Sequence, residues 1–534
     1  MHRFGLLTAM ALFIGAQSAV AQPQTVAAPA IGVAATPRLH FTPQEMALAQ
    51  AAAGLPDLAA YYGTHGLRPI FMGPEATRRR EALLRATGTA PSHGIPAGRY
   101  ASQALAADAV SVETEIAQAE VLSRYLRDMT GGVVRPTSLD TLIKREVKRP
   151  PIHALIRDFT QSPDPGRFLL DRQPDHPAYQ ALQRALSGGE ALTVPAGLPR
   201  VPEGLWRVGM RDEGVTALRA RLDSIGFGAP AGDPQAYDAA LSDAVARYQA
   251  AVGLPSDGVA GPKTIRHLNG DIPDDSRSRG IVVALERMRW MAGEDLSARH
   301  VWVNIPEYTA RIMEGGAEVF RTRVVVGSTD HDRQTPEFSD EIEYVVANPR
   351  WNVPRSITVK EYLPRLQANR HAVSHIDVVD GNGNVISRDR IDFGRYTAAN
   401  FPYRMRQKAS DDNALGLVKF IFPNPWNIYL HDTPTKHLFQ NAMRAHSHGC
   451  IRIGDPFDLA YNLLSVQASD PKAMFHRALD RGKEAWLKLT PAVPVHLVYF
   501  TTFPDADGTI RRFEDVYGRD AALYDAIQKA GLDS

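Results

Sequence analysis

The chain has 534 residues, 60 basic (Lys and Arg) against 59 acidic (Asp and Glu), and one cysteine. That length exceeds one ordinary core, and three domains is a fair expectation. Balanced charge gives no whole-chain attraction to nucleic acid or acidic membrane. A single cysteine excludes an intrachain disulfide framework and any CxxC metal site.

Residues 1–21 read as a signal peptide. Arg3 supplies a positive start, Leu6 through Ile14 is largely apolar, and Ala19-Val20-Ala21 is a small-residue cleavage pattern. The competing reading is an uncut anchor, but the apolar run is short for a span of ~20 residues. No later segment reads as transmembrane, so a mature protein without a transmembrane anchor is expected. Residues 22–37, rich in Ala and Pro, read as a flexible leader.

From 38 to 203 the patterns are helical, notably at 43–53, 78–87, 112–129 and 179–186, with Gly and Pro between them. No catalytic constellation stands out there, so support or partner contacts are expected. In 204–270, Met210-Arg-Asp-Glu-Gly214 precedes a helix-period run through Val215, Leu218 and Leu222. A second helix carries Tyr248-Gln249, and Asp257-Gly258-Val259 leads through Gly261-Pro262 to Ile265 and Leu268. By itself this spacing describes a small helical bundle.

From 280 to 490 the pattern changes to a helix at 281–291 followed by strands at 301–305, 309–312, 318–326 and 342–348. About 359–410 is polar and irregular, either an insertion with a role or a long surface excursion. The remainder, 491–534, holds strands at 495–503 and 510–513 across a turn at 505–508, and a closing helix.

The only cysteine sits in Arg444-Ala-His-Ser-His-Gly-Cys-Ile-Arg452, among histidines, a glycine and a cation. A nucleophilic cysteine needs a thiolate, and nearby positive charge or a basic histidine supplies it. Cys450 therefore reads as a nucleophile, against the blander reading of a small buried hydrophobe. Upstream, the apolar stretch 426–431 reads as a strand ending at His431. Alternation puts Ile428 and Leu430 on one face, Tyr429 and His431 on the other. His448 lies two residues from the thiol and could carry a proton or orient the site. Asp455 and Pro456 open a helix through Leu459, Leu463 and Leu464.

His431 followed by Ser447-His448-Gly449-Cys450-Ile451-Arg452 resembles the signature of the L,D-transpeptidase catalytic domain, the YkuD family. Lys419-Phe-Ile-Phe-Pro-Asn424 and Tyr429-Leu-His-Asp-Thr-Pro434 resemble its large Gram-negative, YcbB-like branch, as more faintly do Tyr61-Tyr62 and Arg68-Pro-Ile-Phe71. Many smaller members have glycine after the histidine where this chain has Asp432, which leaves open whether that carboxylate takes part. The helix bearing Tyr248-Gln249 and the Asp-Gly-Val turn resemble the peptidoglycan-binding domain 1 family. A gap at 227–237 could redirect sugar binding and leave a packing module.

These resemblances imply an α+β multidomain protein. A helical scaffold (38–203) and a peptidoglycan-binding-like domain (204–270) precede a β-rich catalytic domain (280–490) capped by the 359–410 insertion. They also imply a periplasmic acyltransferase acting on peptidoglycan stem peptides. Cys450 would attack a tetrapeptide donor, His431 would move protons, and backbone N–H groups around His448 and Gly449 would hold the oxyanion. A diaminopimelate amine would resolve the thioester as a 3-3 link, and carbapenem-type lactams would acylate the same thiol. Arg452, Ser447 and Tyr429 are candidates for substrate contact, with a structural salt bridge the alternative for Arg452. No metal or cofactor is implied, and other wall-synthesis proteins are candidate partners of the scaffold. A hydrolase trimming stems on the same fold, or a non-catalytic wall-binding scaffold, are the competing functions.

Overall fold

The computed structural model describes residues 40–532 apart from 101, 188–196, 231, 253 and 272–274. The expected signal peptide and leader lie outside the described residues.

Helices Pro43–Ala52, Pro56–Thr64, Ala76–Gly88, Val112–Met129, Ile152–Gln161 and Pro165–Leu170 surround one core that includes Leu58, Phe71, Leu83, Leu122 and Phe159. The central helix, Val112–Met129, opens with a reciprocal cap between Ser111 and Thr114. Its buried Ile116, Ala119, Leu122, Leu126 and Met129 recur at helical spacing. Glu115 on the same helix is fully buried yet satisfied. It accepts from the Tyr62 hydroxyl at 2.7 Å and from the Ile70 and Phe71 N–H groups at 2.5 and 2.8 Å.

A second core joins helices Gly214–Ser224, Ala239–Val252 and Pro262–Leu268 through Val215, Leu218, Leu241, Tyr248 and Ile265. Buried Gln249 organises it. Its amide nitrogen donates to Asp257, to the Val259 carbonyl and to Thr264, and its oxygen accepts from the Gly258 N–H. Gly258 has φ +67°, and a Cβ there would lie 2.6 Å from Ser242 Oγ and 2.9 Å from its carbonyl oxygen. Gly258→Ala is therefore expected to cost about 2–4 kcal/mol. A calorimetric scan of the full chain should show this as a lower Tm for this module's transition.

The third region is a barrel. Its strands are β1 (His300–Asn304), β2 (Thr309–Glu314), β3 (Ala317–Gly327), β4 (Phe338–Ala347), β5 (Trp351–Asn352), β6 (Asp377–Val379), β7 (Arg404–Gln407), β8 (Val418–Ile421), β9 (Leu430–His431), β10 (Ala445–Ser447), β11 (Ile451–Ile453) and β12 (Ala485–Val498). Nine of them form one sheet in the order β10-β3-β11-β9-β8-β4-β12-β1-β2, and β2 also pairs with β3, which closes the sheet on itself. Val301, Val303, Val324, Val345, Phe420, Leu430, Ile451 and Leu497 fill the core, together with Leu459 and Leu463 of helix Pro456–Leu464. Asp455 precedes that helix as expected, but its carboxylate accepts from Thr322 on β3 at 2.8 Å and makes no side-chain cap.

β12 differs from the sequence expectation. It begins at Ala485, crosses residue 490 and ends at Val498, paired with β4 from Ala485 to Leu497 and on its other edge with β1 from Val495 to Val498. Pro491 and Pro494 obscure it in the sequence, and the pairing with β4 shifts register between Lys488 and Val493. The expected strand 495–503 divides into the end of β12 and a separate β13 (Thr502–Pro504), which pairs with β14 (Ile510–Arg512).

The insertion between β4 and β8 is not irregular. β5, β7 and β6 form a small sheet beginning at Trp351. Together with the short helical segments Thr358–Tyr362 and Leu363–Ala368 it surrounds its own core of Leu363, Leu366, Ile376, Val378, Phe393, Phe401 and Met405. Its apolar residues are spaced too widely along the chain to read as one face.

Helix Asp275–Trp290 is the junction. Buried Glu286 and Arg289 pair at 2.6 Å. Arg289 donates to the His93 carbonyl at 2.7 Å and to the Tyr179 hydroxyl at 2.9 Å, and Glu286 accepts from the Val134 N–H at 2.7 Å. The helical region also reaches the barrel through Ile143, which bridges to Glu337, and through buried Arg145, which donates to Ser339 at 2.7 Å. Both charges of the junction are paired, as burial requires.

Candidate active site

β9 and β11 run parallel, with Leu430 opposite Ile451 and His431 opposite Arg452. The Ile451 N–H donates to the Tyr429 carbonyl at 3.1 Å, so Cys450 stands beside Tyr429 at the mouth of this ladder. Ile428 and Leu430 enter the barrel core, while Tyr429 and His431 take the outer face with their rings edge-to-face at 5.7 Å. Only Leu430–His431 of the stretch 426–431 is strand. The Asn424 side chain accepts from the Trp426 and Ile428 N–H groups and donates to the Ile428 carbonyl, which winds the preceding residues into a turn with Asn427 at φ +55°.

His431 is buried, and its Nδ1 lies 2.5 Å from the Asp432 carbonyl. A carbonyl only accepts, so the proton sits on Nδ1 and Nε2 carries the lone pair. Burial pushes His431 down to about 3, with Arg452 the next contribution and the Asp432 hydrogen bond opposing. Asp432 contributes its carbonyl here, while its carboxylate turns away. That group accepts from the Leu417 N–H at 2.9 Å and the Thr433 N–H at 2.7 Å and pairs with Lys436. Space for it comes from Gly416 (φ +59°), where a Cβ would lie 2.3 Å from the Asp432 carboxyl carbon.

The half-buried Cys450 thiol donates to the Asn427 carbonyl at 3.6 Å. Burial pushes it up to about 11, against the pull of hydrogen bonding at Tyr429 and of the Lys419 and Arg452 cations. The resting pair is thus neutral thiol and neutral imidazole. Arg452 donates to Thr435 Oγ1 at 3.0 Å, its buried Nε has no partner, and it makes no salt bridge among the described residues. The salt-bridge alternative finds no carboxylate there.

The loop before the thiol is braced internally. Gly449 has φ +109°, its carbonyl accepts from buried Thr335 at 2.8 Å, and its N–H donates to Ser447 Oγ at 3.1 Å. Ser447 is buried and donates to the Cys450 carbonyl at 2.5 Å, so it holds the loop rather than facing the cleft. With the Gly449 N–H taken, the His448 and Cys450 N–H groups are the ones without hydrogen-bond partners among the described residues. The His448 side chain points out to Glu361 of the insertion, Nε2 to Oε1 2.6 Å, and Arg333 lies 3.3 Å from the same carboxylate. It orients the loop against the insertion and is not placed to shuttle the thiol's proton.

Sequence reasoning missed Lys419, Thr335, Asn427 and Glu361. Lys419 was legible as a residue of a quoted motif, alternating with core Phe420. Asn427 lay inside the stretch 426–431 read as strand, whereas Thr335 and Glu361 reach the site only through long-range folding.

Three stretches of the chain match family models: 298–485 the "L,D-transpeptidase catalytic domain", 56–186 a "Scaffold domain", and 211–268 a "Putative peptidoglycan binding domain". The chain carries an L,D-transpeptidase catalytic domain. It is α+β, with a helical N-terminal region ahead of the β-rich domain. A relative from Haemophilus influenzae named "Putative L,D-transpeptidase" is 34% identical over 225 residues, covering 42% of this chain and 45% of the relative. The match thus spans less than half of that relative's length. Two solved structures are similar at 15% identity. One is an L,D-transpeptidase (residues 123–326) from Xylanimonas cellulosilytica, covering 57% of this chain and 99% of that one at a TM-score of 0.17. The other is an L,D-transpeptidase from Stackebrandtia nassauensis, covering 56% and 96% at 0.19. No described helix is long and apolar enough to cross a membrane.

Proposed function

We propose that this protein is a cysteine-dependent L,D-transpeptidase that forms 3-3 links between diaminopimelate residues of peptidoglycan stems. The observation that carries this reading is the imidazole of His431. Its Nδ1 is committed to the Asp432 carbonyl and its Nε2 left with the free lone pair, one strand from Cys450 and level with Arg452, which has no ion pair among the described residues.

His431 Nε2 takes the thiol proton as Sγ attacks the donor carbonyl. The His448 and Cys450 N–H groups stabilise the oxyanion, and the imidazolium then protonates the leaving D-alanine amine. An acceptor amine next displaces Sγ from the thioester. Arg452 holds a donor carboxylate, and Tyr429 walls the cleft between thiol and insertion. The resting neutral pair charges only when a carbonyl arrives, which spares the thiol from oxidants outside the cytoplasm.

The substrates place the enzyme in the periplasm, in the large Gram-negative branch, with the helical region free to contact other wall-synthesis proteins. Tetrapeptide muropeptides incubated with purified protein are expected to yield 3-3 dimers and free D-alanine, resolved by liquid chromatography and mass spectrometry. Shortened stems without dimers would instead establish stem hydrolysis. A carbapenem should add its mass once per chain, and an unmodified chain would favour the non-catalytic scaffold.

A further inference from the structure

Cross-strand registers set five side chains in one row on the outer face of the barrel. Trp486 on β12 is opposite Val346 on β4, Val346 opposite Lys419 on β8, Lys419 opposite His431 on β9, and His431 opposite Arg452 on β11. Directly paired residues share a face. Their neighbours Val345, Phe420, Leu430 and Ile451 enter the core, which fixes the row as outward.

The end of this row beyond His431 has a distinct chemistry. The Lys419 ammonium lies 5.3 Å from the Tyr429 ring centre and 5.9 Å from that of Trp486. Trp486 is 52% exposed and meets Tyr344 edge-to-face at 5.4 Å. No carboxylate is within ion-pairing distance of Lys419 among the described residues. Glu484, whose field reaches it, instead accepts from the Arg350 N–H at 3.0 Å. A half-buried cation held between aromatic rings and lacking an acidic partner is poised for an anion from outside.

His431 therefore has a cation on each side: Arg452 on the thiol's own strand, Lys419 on the far side. The far side is where a second substrate can present an amine to Nε2 while the acyl group occupies the thiol. We propose that Lys419 and Trp486 form the acceptor subsite, which takes an α-amino-acid centre whose amine and carboxylate share one carbon. Lys419 binds that carboxylate, Trp486 lies along the side chain or peptide beyond it, and the amine is delivered to His431. The amine loses a proton to Nε2, the new C–N bond forms as the C–Sγ bond breaks, and the imidazolium returns the proton to the departing thiolate. Diaminopimelate and free D-amino acids both meet this description, whereas a simple alkylamine does not.

This inference rests on the transpeptidase reading and can fail separately from it. The test measures acyl transfer from a tetrapeptide donor to a D-amino acid and to its carboxamide, with wild type, Lys419→Met and Trp486→Ala. Iodoacetamide alkylation of Cys450 serves as a check on fold and thiol. Lys419→Met is expected to raise the acceptor KM 10- to 50-fold for the free acid and leave the KM for the carboxamide at its wild-type value, while alkylation slows because one of the two cations that favour the thiolate is gone. Trp486→Ala should raise KM for both acceptors. An equal rise in KM for both acceptors in Lys419→Met would mean that Lys419 serves the thiol alone, and the subsite would be wrong. Acyl-enzyme that only water resolves also overturns it. No acyl-enzyme in wild type removes the transpeptidase reading and the subsite together.

Discussion

Cys450→Ala is expected to abolish cross-linking and stem cleavage alike, by at least about 10⁴-fold in kcat/KM. The chain has no second thiol to substitute for it. The variant should fold normally, because the loop is braced by backbone and hydroxyl contacts from Ser447 and Thr335 that do not involve Sγ. Its Tm should match wild type within error, and it should gain no mass with a carbapenem. Residual turnover above about one hundredth of wild type would assign the chemistry to another group.

His431→Ala is expected to lower kcat/KM about 10²–10⁴-fold and, more tellingly, to change the shape of the pH profile. In wild type the thiol is held up to about 11 and the imidazole down to about 3, so the neutral pair persists across the accessible range. Acylation should be flat from about pH 5 to 9 and decline only as Nε2 takes up a proton towards 3. Without the imidazole the thiolate arises only by spontaneous ionisation, and the rate should climb about tenfold per pH unit towards 11. A wild-type profile with that slope would remove His431 as the base. The same burial affects stability. The unfolded imidazole binds a proton near 6.5 and the folded one near 3, so unfolding takes up a proton in between. His431's contribution is fully present above about 6.5 and is lost as pH falls towards 3, which urea unfolding at pH 7 and pH 5 would register.

Periodicity made the central helix and the early barrel strands legible. Val112–Met129 has its apolar residues on one stripe and its cap in place, and β1 to β4 alternate or run apolar between clear turns. The insertion's sheet was not legible, because β5, β6 and β7 are two to four residues long and pair across distant sequence. Short strands carry too few residues for a period, so only the partners that cover them define them. β12 was half legible, since prolines interrupt its pattern while the strands on either side continue the ladder.

At the site, residue types within thirty positions were enough to single out the thiol, its histidine and Arg452. What folding alone decided is who faces whom. Ser447 turned inward because its hydroxyl ties both the Gly449 N–H and the Cys450 carbonyl. His448 turned outward because Glu361, far away in sequence, offers it a carboxylate. Lys419 came level with His431 through strand register. The amino-acid order sets which functional groups are available and where the backbone must bend. Their distances, and hence their charges, depend on burial and on partners that only the closed barrel brings within reach.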